Sequence, residues 1–257
     1  MGALMALRAY TVWDRPTRLF HWINLATVLG LAGVGLVILN NKVLGVSPGG
    51  KVLLKTVHVW LGYLFVINLA WRLLWAFLGN RFARWSAILP VGAGSGARFR
   101  AYLRGFAAGD PPRYLGHNPL ARLMVSLLLA MLLAQGATGL VLAGTDLYFP
   151  PLGHWIATWV AAPGIDPAAL VPGDESAVDP DAWAAMRAFR SPFIAIHYWG
   201  FYLLCAAIVA HVAGVVAAER REGGALVSAM ITGRKLLDRA PVDAPETGSE
   251  PGGDDQT

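Results

Sequence analysis

Four stretches of the chain, residues 19–39, 57–78, 120–143 and 193–218, are apolar around most of the helical circumference rather than along one stripe. A helix buried on one side only would keep a polar face. Each stretch also reaches the roughly 20 residues that a helix needs to cross the hydrocarbon core of a bilayer, and each is too long for a strand. The pattern predicts an all-α integral membrane protein built as a four-transmembrane-helix bundle. Residues 144–192, rich in Pro, Asp and Ala, form the longest connection. They are expected to cap the bundle outside the membrane, with a short amphipathic helix near 154–160. Residues 1–240 then make one membrane domain. The tail, 241–257, is rich in Pro, Gly and acids and is expected to be disordered.

Composition supports lipid as the solvent. Hydrophobic residues make up 56% of the chain and charged ones 14%, against about 25% charged in ordinary soluble domains. The ten Trp suit the lipid–water interface, where the ring is buried and the N–H stays wet. The net charge of +5 does not point to nucleic acid, because the basic residues flank the apolar segments and serve as orientation signals. Arg8, Arg15 and Arg18 precede the first span. Arg81, Arg84, Arg98, Arg100, Arg104 and Arg113 fill the second connection, and Arg220, Arg221, Arg234, Lys235 and Arg239 follow the fourth span. The third connection instead carries Asp146, Asp166, Asp174, Glu175, Asp179 and Asp181, with only Arg187 and Arg190 as basic residues. Lys42, Lys51 and Lys55 in the first connection run against the trend. The balance places both termini and the middle connection in the cytoplasm, with the protein multi-pass in the inner (plasma) membrane. No small-residue cleavage site follows the basic N-terminus, so no cleaved signal is expected.

A single cysteine, Cys205, excludes an iron–sulfur cluster, a Cys-rich zinc site, an internal disulfide and C-x-x-C-H haem attachment. Histidine is then the available ligand. Four of the six histidines, His21, His58, His197 and His211, fall in the spans, where an ionisable side chain is costly enough to be a functional candidate. Singly, each would serve equally well as a hydrogen bond between helices. Their placement says more. His197 and His211 are 14 positions apart, roughly 21 Å along one helix and close to a whole number of turns. Both therefore point one way, near opposite membrane faces. With the span directions above, His21 and His211 share the inner level and His58 and His197 the outer one. Two level pairs of imidazoles match two haems with bis-histidine axial ligation, which leaves no position for oxygen and suits electron transfer. Gly62, Gly200 and Gly214, each about one turn from a histidine, would let a flat macrocycle approach the backbone. Close helix packing through small residues is their plainer role.

Arg15 and Arg18 are candidate partners for inner propionates and Lys55 for outer ones, with topological anchoring the plainer role of each. Arg72, near the inner end of the second span, is placed to snorkel to the interface. His117, in Gly-His-Asn-Pro ahead of the third span, is a quinone-binding or proton-relay candidate, with helix capping its plainer role. His154 reads as a surface histidine. The alternative from another class is a non-redox membrane anchor, or a transporter using intramembrane histidines for protons or a metal such as zinc. No Asp or Glu lies within the four predicted spans, which counts against a transporter. A self-contained quinone reductase would need a nicotinamide or flavin motif, and none is evident.

Several of these residues also carry a resemblance. Arg18-Leu19-Phe20-His21-Trp22, the stretch from His58 through Gly62 to Trp71-Arg72-Leu73-Leu74-Trp75-Ala76-Phe77-Leu78-Gly79-Asn80-Arg81, and Gly116-His117-Asn118-Pro119 are similar to the b-type cytochrome subunit of membrane-bound nickel–iron hydrogenases, within the bacterial cytochrome b561 group. His197, His211 and Ser228-Ala229-Met230-Ile231-Thr232-Gly233-Arg234-Lys235 continue the match, which covers most of residues 11–236. The resemblance implies two b haems held by histidines on spans one, two and four, the same four that depth selects. It also implies an outer redox partner such as a hydrogenase small subunit, and a quinone site near the inner haem. The 144–192 connection is more acidic and longer than is typical of the family, which makes a basic extracytoplasmic cytochrome c the other partner to consider.

Overall fold

The computed structural model describes residues 7–244, and its element order follows from four repeated start signals. A short strand, β1 (Arg8–Thr11), leads into helices α1 (Arg15–Leu39) and α2 (Pro48–Leu78). Two small helices, α3 (Trp85–Ile88) and α4 (Ser95–Ala107), precede α5 (Pro119–Leu147) and α6 (Gly153–Val160). A 3-10 turn at Pro167–Ala169 comes before α7 (Pro180–Glu222), α8 (Leu226–Thr232) and β2 (Arg234–Leu237). Each of the four long helices opens with a capping side chain and a proline in its first turn. Asp14 accepts from the Thr17 amide at 3.0 Å, Ser47 from Gly50 at 3.1 Å, Asn118 from Ala121 at 2.7 Å and Asp179 from Ala182 at 2.8 Å. Proline there gives up no needed donor and pre-sets the helical φ.

The four long helices contain the expected spans but are longer. Helix α2 begins at Pro48 rather than 57, and α7 begins at Pro180 rather than 193, running through Pro192. Residues 180–192 are therefore helix and not part of a connection, because the Asp179 cap starts the helix before the apolar stretch does. At 43 residues α7 is roughly 64 Å long, about twice the hydrocarbon thickness. Its first turns stand clear of the bundle, where Met186 packs against Ile156, Ala157 and Val160 of α6 and against Leu170 and Val178. The short helix expected near 154–160 is α6 itself. The longer helices also take in Asp146, Asp181, Glu219 and Glu222, all in or near terminal turns.

Helices α1 and α2 form one antiparallel hairpin and α5 and α7 another, joined through α2 and α5. Phe65, Leu69 and Ala76 of α2, Leu129 and Leu132 of α5, and Leu204 of α7 make the shared core with Ile88. Only 6% of the apolar stretch of α1 is buried, so most of that surface needs lipid. Helix α7 packs extensively on α5 and stands further from α1 and α2, apart from the core around Leu204. A cleft therefore runs between α7 and the first hairpin.

The two ends of the bundle are closed differently. At the terminal end β1 and β2 pair antiparallel, Arg8 with Leu237 and Thr11 with Arg234, over Val12, Trp13, Phe82, Leu115 and Ala229. Asp243 accepts from the amides of Leu115 (2.6 Å) and Gly116 (2.9 Å), and the Val242 amide donates to Arg113 O. The beginning of the expected tail, 241–244, is thus tied to the body, while 245–257 lie outside the described residues. At the other, cap end Lys55 of α2 and Arg190 of α7 both reach Asp146 of α5, each at 2.6 Å.

Asp14 also joins the terminal end to α2, accepting from Trp75 Nε1 at 3.0 Å and from the Asn80 amide at 3.3 Å. Partial burial raises its pKa, but the hydrogen bonds from Thr17, Trp75 and Asn80 together outweigh it and hold the carboxyl below 3.8. A carboxylate with a depressed folded pKa contributes stability that is present above its ordinary pKa and lost as pH falls through the lowered value. Acid melts should therefore show an Asp14-dependent loss below pH 3.8, absent in Asp14→Ala. At neutral pH that variant should lose about 1 kcal/mol from the missing cap, read by thermal circular dichroism in detergent.

Candidate functional site

Two histidines come from each hairpin, and they meet across the cleft. His58 sits on the cap-end half of α2 and His197 on α7, with ring centroids 6.3 Å apart and planes at 76°. A metal–imidazole nitrogen bond is about 2 Å and the ring centre lies roughly 1 Å beyond it, so imidazoles on opposite sides of one metal have centres about 6 Å apart. The observed spacing matches that requirement. His21 lies in the first turns of α1 and His211 toward the end of α7, both in the terminal-end half of the bundle. The Nδ1 atoms of His21 and His58 are buried without a hydrogen-bond partner. Among the described residues no three His, Cys, Asp or Glu side chains converge. His58 and His197 stand as a pair, whereas a structural zinc site needs four protein ligands.

His197 is held by α5 at several points. Gln135 Nε2 donates to the His197 carbonyl at 3.1 Å, and Thr138 Oγ1 lies 2.9 Å from His197 Nδ1. A Cβ on Gly139 would sit 3.4 Å from His197 Cε1, and one on Gly35 the same distance from His58 Cε1. Of the three glycines marked in the sequence, Gly62 and Gly214 face open space, where a Cβ would meet nothing within 4 Å. A Cβ on Gly200 would strike Gln135 Nε2 at 2.6 Å, so Gly200 serves helix packing.

The cations divide. Lys55 is bonded to Asp146, an arrangement completed by Arg190, so three charges from three helices share one cluster with a surplus of one positive charge. Arg18 donates to Ile231 O on α8 while its Nε is buried and unpartnered. Arg72 does not snorkel: it is 5% exposed, donates to Ala83 O at 3.1 Å, and leaves Nη1 without a partner. The turn that follows α2 brings Ala83 back onto it, and the Phe20 ring lies 5.9 Å from its guanidinium carbon.

His117 lies against Trp13, ring centres 4.8 Å apart, with its Nδ1 buried and unpartnered. The capping role belongs to its neighbour Asn118, which also donates to Tyr102 Oη (2.8 Å) and Glu222 Oε1 (2.9 Å). The Tyr102 hydroxyl donates to the same Glu222 oxygen. Burial lowers the His117 pKa to about 3, helped by the nearby charges of Lys235, Arg72, Arg122 and His211. It is neutral at physiological pH. Burial likewise pushes Lys235 down to about 8, against the pull of Glu222 and Asp243, while its ammonium donates to the carbonyls of Tyr114 and Gly116. His154 stands exposed on α6.

Thr138, Gln135, Arg190 and the Tyr102–Glu222 contact carry no mark in the sequence. Polar residues on apolar helices were the available signal, but not which helix each one faces.

A family model described as prokaryotic cytochrome b561 matches residues 12–233. A Rhizobium leguminosarum bv. viciae protein named as a probable Ni/Fe-hydrogenase B-type cytochrome subunit is 25% identical over 240 residues, 88% of each chain. A Cupriavidus necator protein of the same name is 23% identical over 252 residues, 90% of this chain and 89% of its own. An Escherichia coli K12 protein named as a probable Ni/Fe-hydrogenase 1 B-type cytochrome subunit is 31% identical over 124 residues, 44% of this chain and 52% of its own. No solved structure gives a significant match. With four membrane-length apolar helices and a family match over nearly all of the described residues, the chain is a multi-pass helical membrane protein that belongs to the prokaryotic cytochrome b561 family.

Proposed function

We propose that this chain is a di-haem b electron-transfer subunit of the inner (plasma) membrane, linking an extracytoplasmic redox partner to the membrane quinone pool. The observation that carries the reading is the 6.3 Å imidazole pair facing across a cleft that helix packing leaves open. His58 and His197 would ligate one haem, and His21 and His211 the other. Haem b supplies reversible one-electron transfer, with a potential set by axial ligands, second-shell hydrogen bonds and burial. Two imidazoles holding one iron would leave no coordination position for oxygen.

Other residues of the chain have matching tasks. The surplus positive charge of the Lys55–Asp146–Arg190 cluster is placed to offset a propionate at the cap end, and Arg18 does so at the terminal end. Neutral His117, close to His211, offers a hydrogen bond to a quinone carbonyl on the cytoplasmic side, where both termini lie. The acidic cap between 148 and 179 faces the partner. The names of the relatives favour a hydrogenase there, and a basic cytochrome c is the other fit to its charge.

The reduced-minus-oxidised spectrum of the detergent-purified chain, with pyridine haemochrome and protein quantitation, should give two b haems per chain. Absence of haem after expression with ample haem, with zinc in its place, would return the histidines to a metal-binding anchor.

A further inference from the structure

Thr138 is buried in the middle of α5, 6% exposed, and its hydroxyl has three neighbours. Ala134 O lies at 2.7 Å, Gln135 O at 3.2 Å and His197 Nδ1 at 2.9 Å. A hydroxyl has one proton and two lone pairs. Carbonyl oxygens only accept, so the Thr138 proton goes to the nearer one, that of Ala134, as is usual for threonine within a helix. The lone pair is then left for His197, whose Nδ1 must carry a proton and donate it. That leaves Nε2 as the nitrogen with a free lone pair, the one able to bind a metal. Gln135, on the carbonyl of the same histidine, fixes the backbone from which the ring projects. No comparable contact holds the Nδ1 of His58 or His21, both of which are unpartnered.

We propose that Thr138 is a positioning residue that sets the tautomer and donor strength of His197 and thereby lowers the potential of the cap-end haem alone, a role that rests on the His58/His197 ligand pair. An imidazole that donates from Nδ1 is a stronger electron donor through Nε2, which favours the oxidised metal. Replacing the hydroxyl with a methyl group removes that effect without changing the shape of the side chain.

The test uses the full chain with both haems bound, in Thr138→Val, Thr138→Ala and Thr138→Ser forms, each titrated spectroelectrochemically. In the Val and Ala forms one of the two haems should become easier to reduce. At fixed ambient potential its reduced-to-oxidised ratio should rise about three- to tenfold, an upward shift of about 30–60 mV at 59 mV per tenfold for one electron. The other haem should keep its potential, and Ser should restore the parent value. Selective loss of the cap-end haem in the hydroxyl-free forms, with Ser retaining it, also supports the role. Unchanged potentials at full haem content overturn it. So does an equal shift of both haems, or loss of both in Val and Ala, because the claim is confined to one site. Failure of the ligand pair itself is read separately: His58→Ala and His197→Ala would then not lose the same haem.

Discussion

His58→Ala and His197→Ala are each expected to leave one haem per chain instead of two, and to leave the same one. Each removes one face of a pair whose ring centres stand 6.3 Å apart, and a single imidazole with an open sixth position holds haem far less firmly. His21→Ala and His211→Ala should complement them by depleting the other haem. Haemochrome per protein gives the stoichiometry, and redox titration shows which of two midpoints disappears. The His58→Ala/His197→Ala double variant should look like either single one, since residues acting as a unit do not add. If His58→Ala and His211→Ala removed the same midpoint, the pairing would be wrong.

Asp146→Ala should produce the second large effect, on stability. Asp146 of α5 accepts from Lys55 of α2 at 2.6 Å and from Arg190 of α7 at 2.6 Å and 3.1 Å. The side chains are 16%, 28% and 23% exposed, between the surface case and the fully buried one. Removing the only carboxylate in the cluster leaves two cations repelling each other, a cost of about 2 kcal/mol between the two limits. For a chain of this size that corresponds to roughly 4–8 °C in Tm. Replacing all three with apolar residues (Lys55→Met, Asp146→Leu, Arg190→Met) should recover most of the loss, because the penalty lies in the orphaned charges. Thermal circular dichroism in detergent reads both. An Asp146→Ala melt within 1 °C of the parent would mean that solvent already screens the cluster.

The four spans were legible because lipid demands apolarity all round, and a hydropathy pattern is its direct record. The facing of His58 and His197 follows a related record: rise per residue and alternating direction fix the level of each side chain along its span. Helix starts were legible too, in Ser47-Pro48 and Asp179-Pro180, but a reading keyed to apolar runs passes over a cap lying 10 or 14 residues upstream of them. What was hidden depends on how helices are rotated about their axes. Thr138 might have faced lipid, as far as α5 alone could say. Arg190 read as a stray cation in an acidic connection, and Asp146 as part of that connection, until the longer α5 and α7 brought them together. Arg72 read as a snorkelling side chain because nothing in α2 announces that the turn after it will fold back and offer Ala83 O as an acceptor.

The cleft beside α7 has a consequence for assembly. Between its two ends the bundle joins its hairpins mainly through α2 on α5, and His58 of the first hairpin faces His197 of α7. A haem held by His58 and His197 would therefore act as a staple between ends that β1–β2 pairing and the Asp146 cluster already tie. Insertion of the hairpins could then precede closure, with cofactor loading as the step that locks one half to the other.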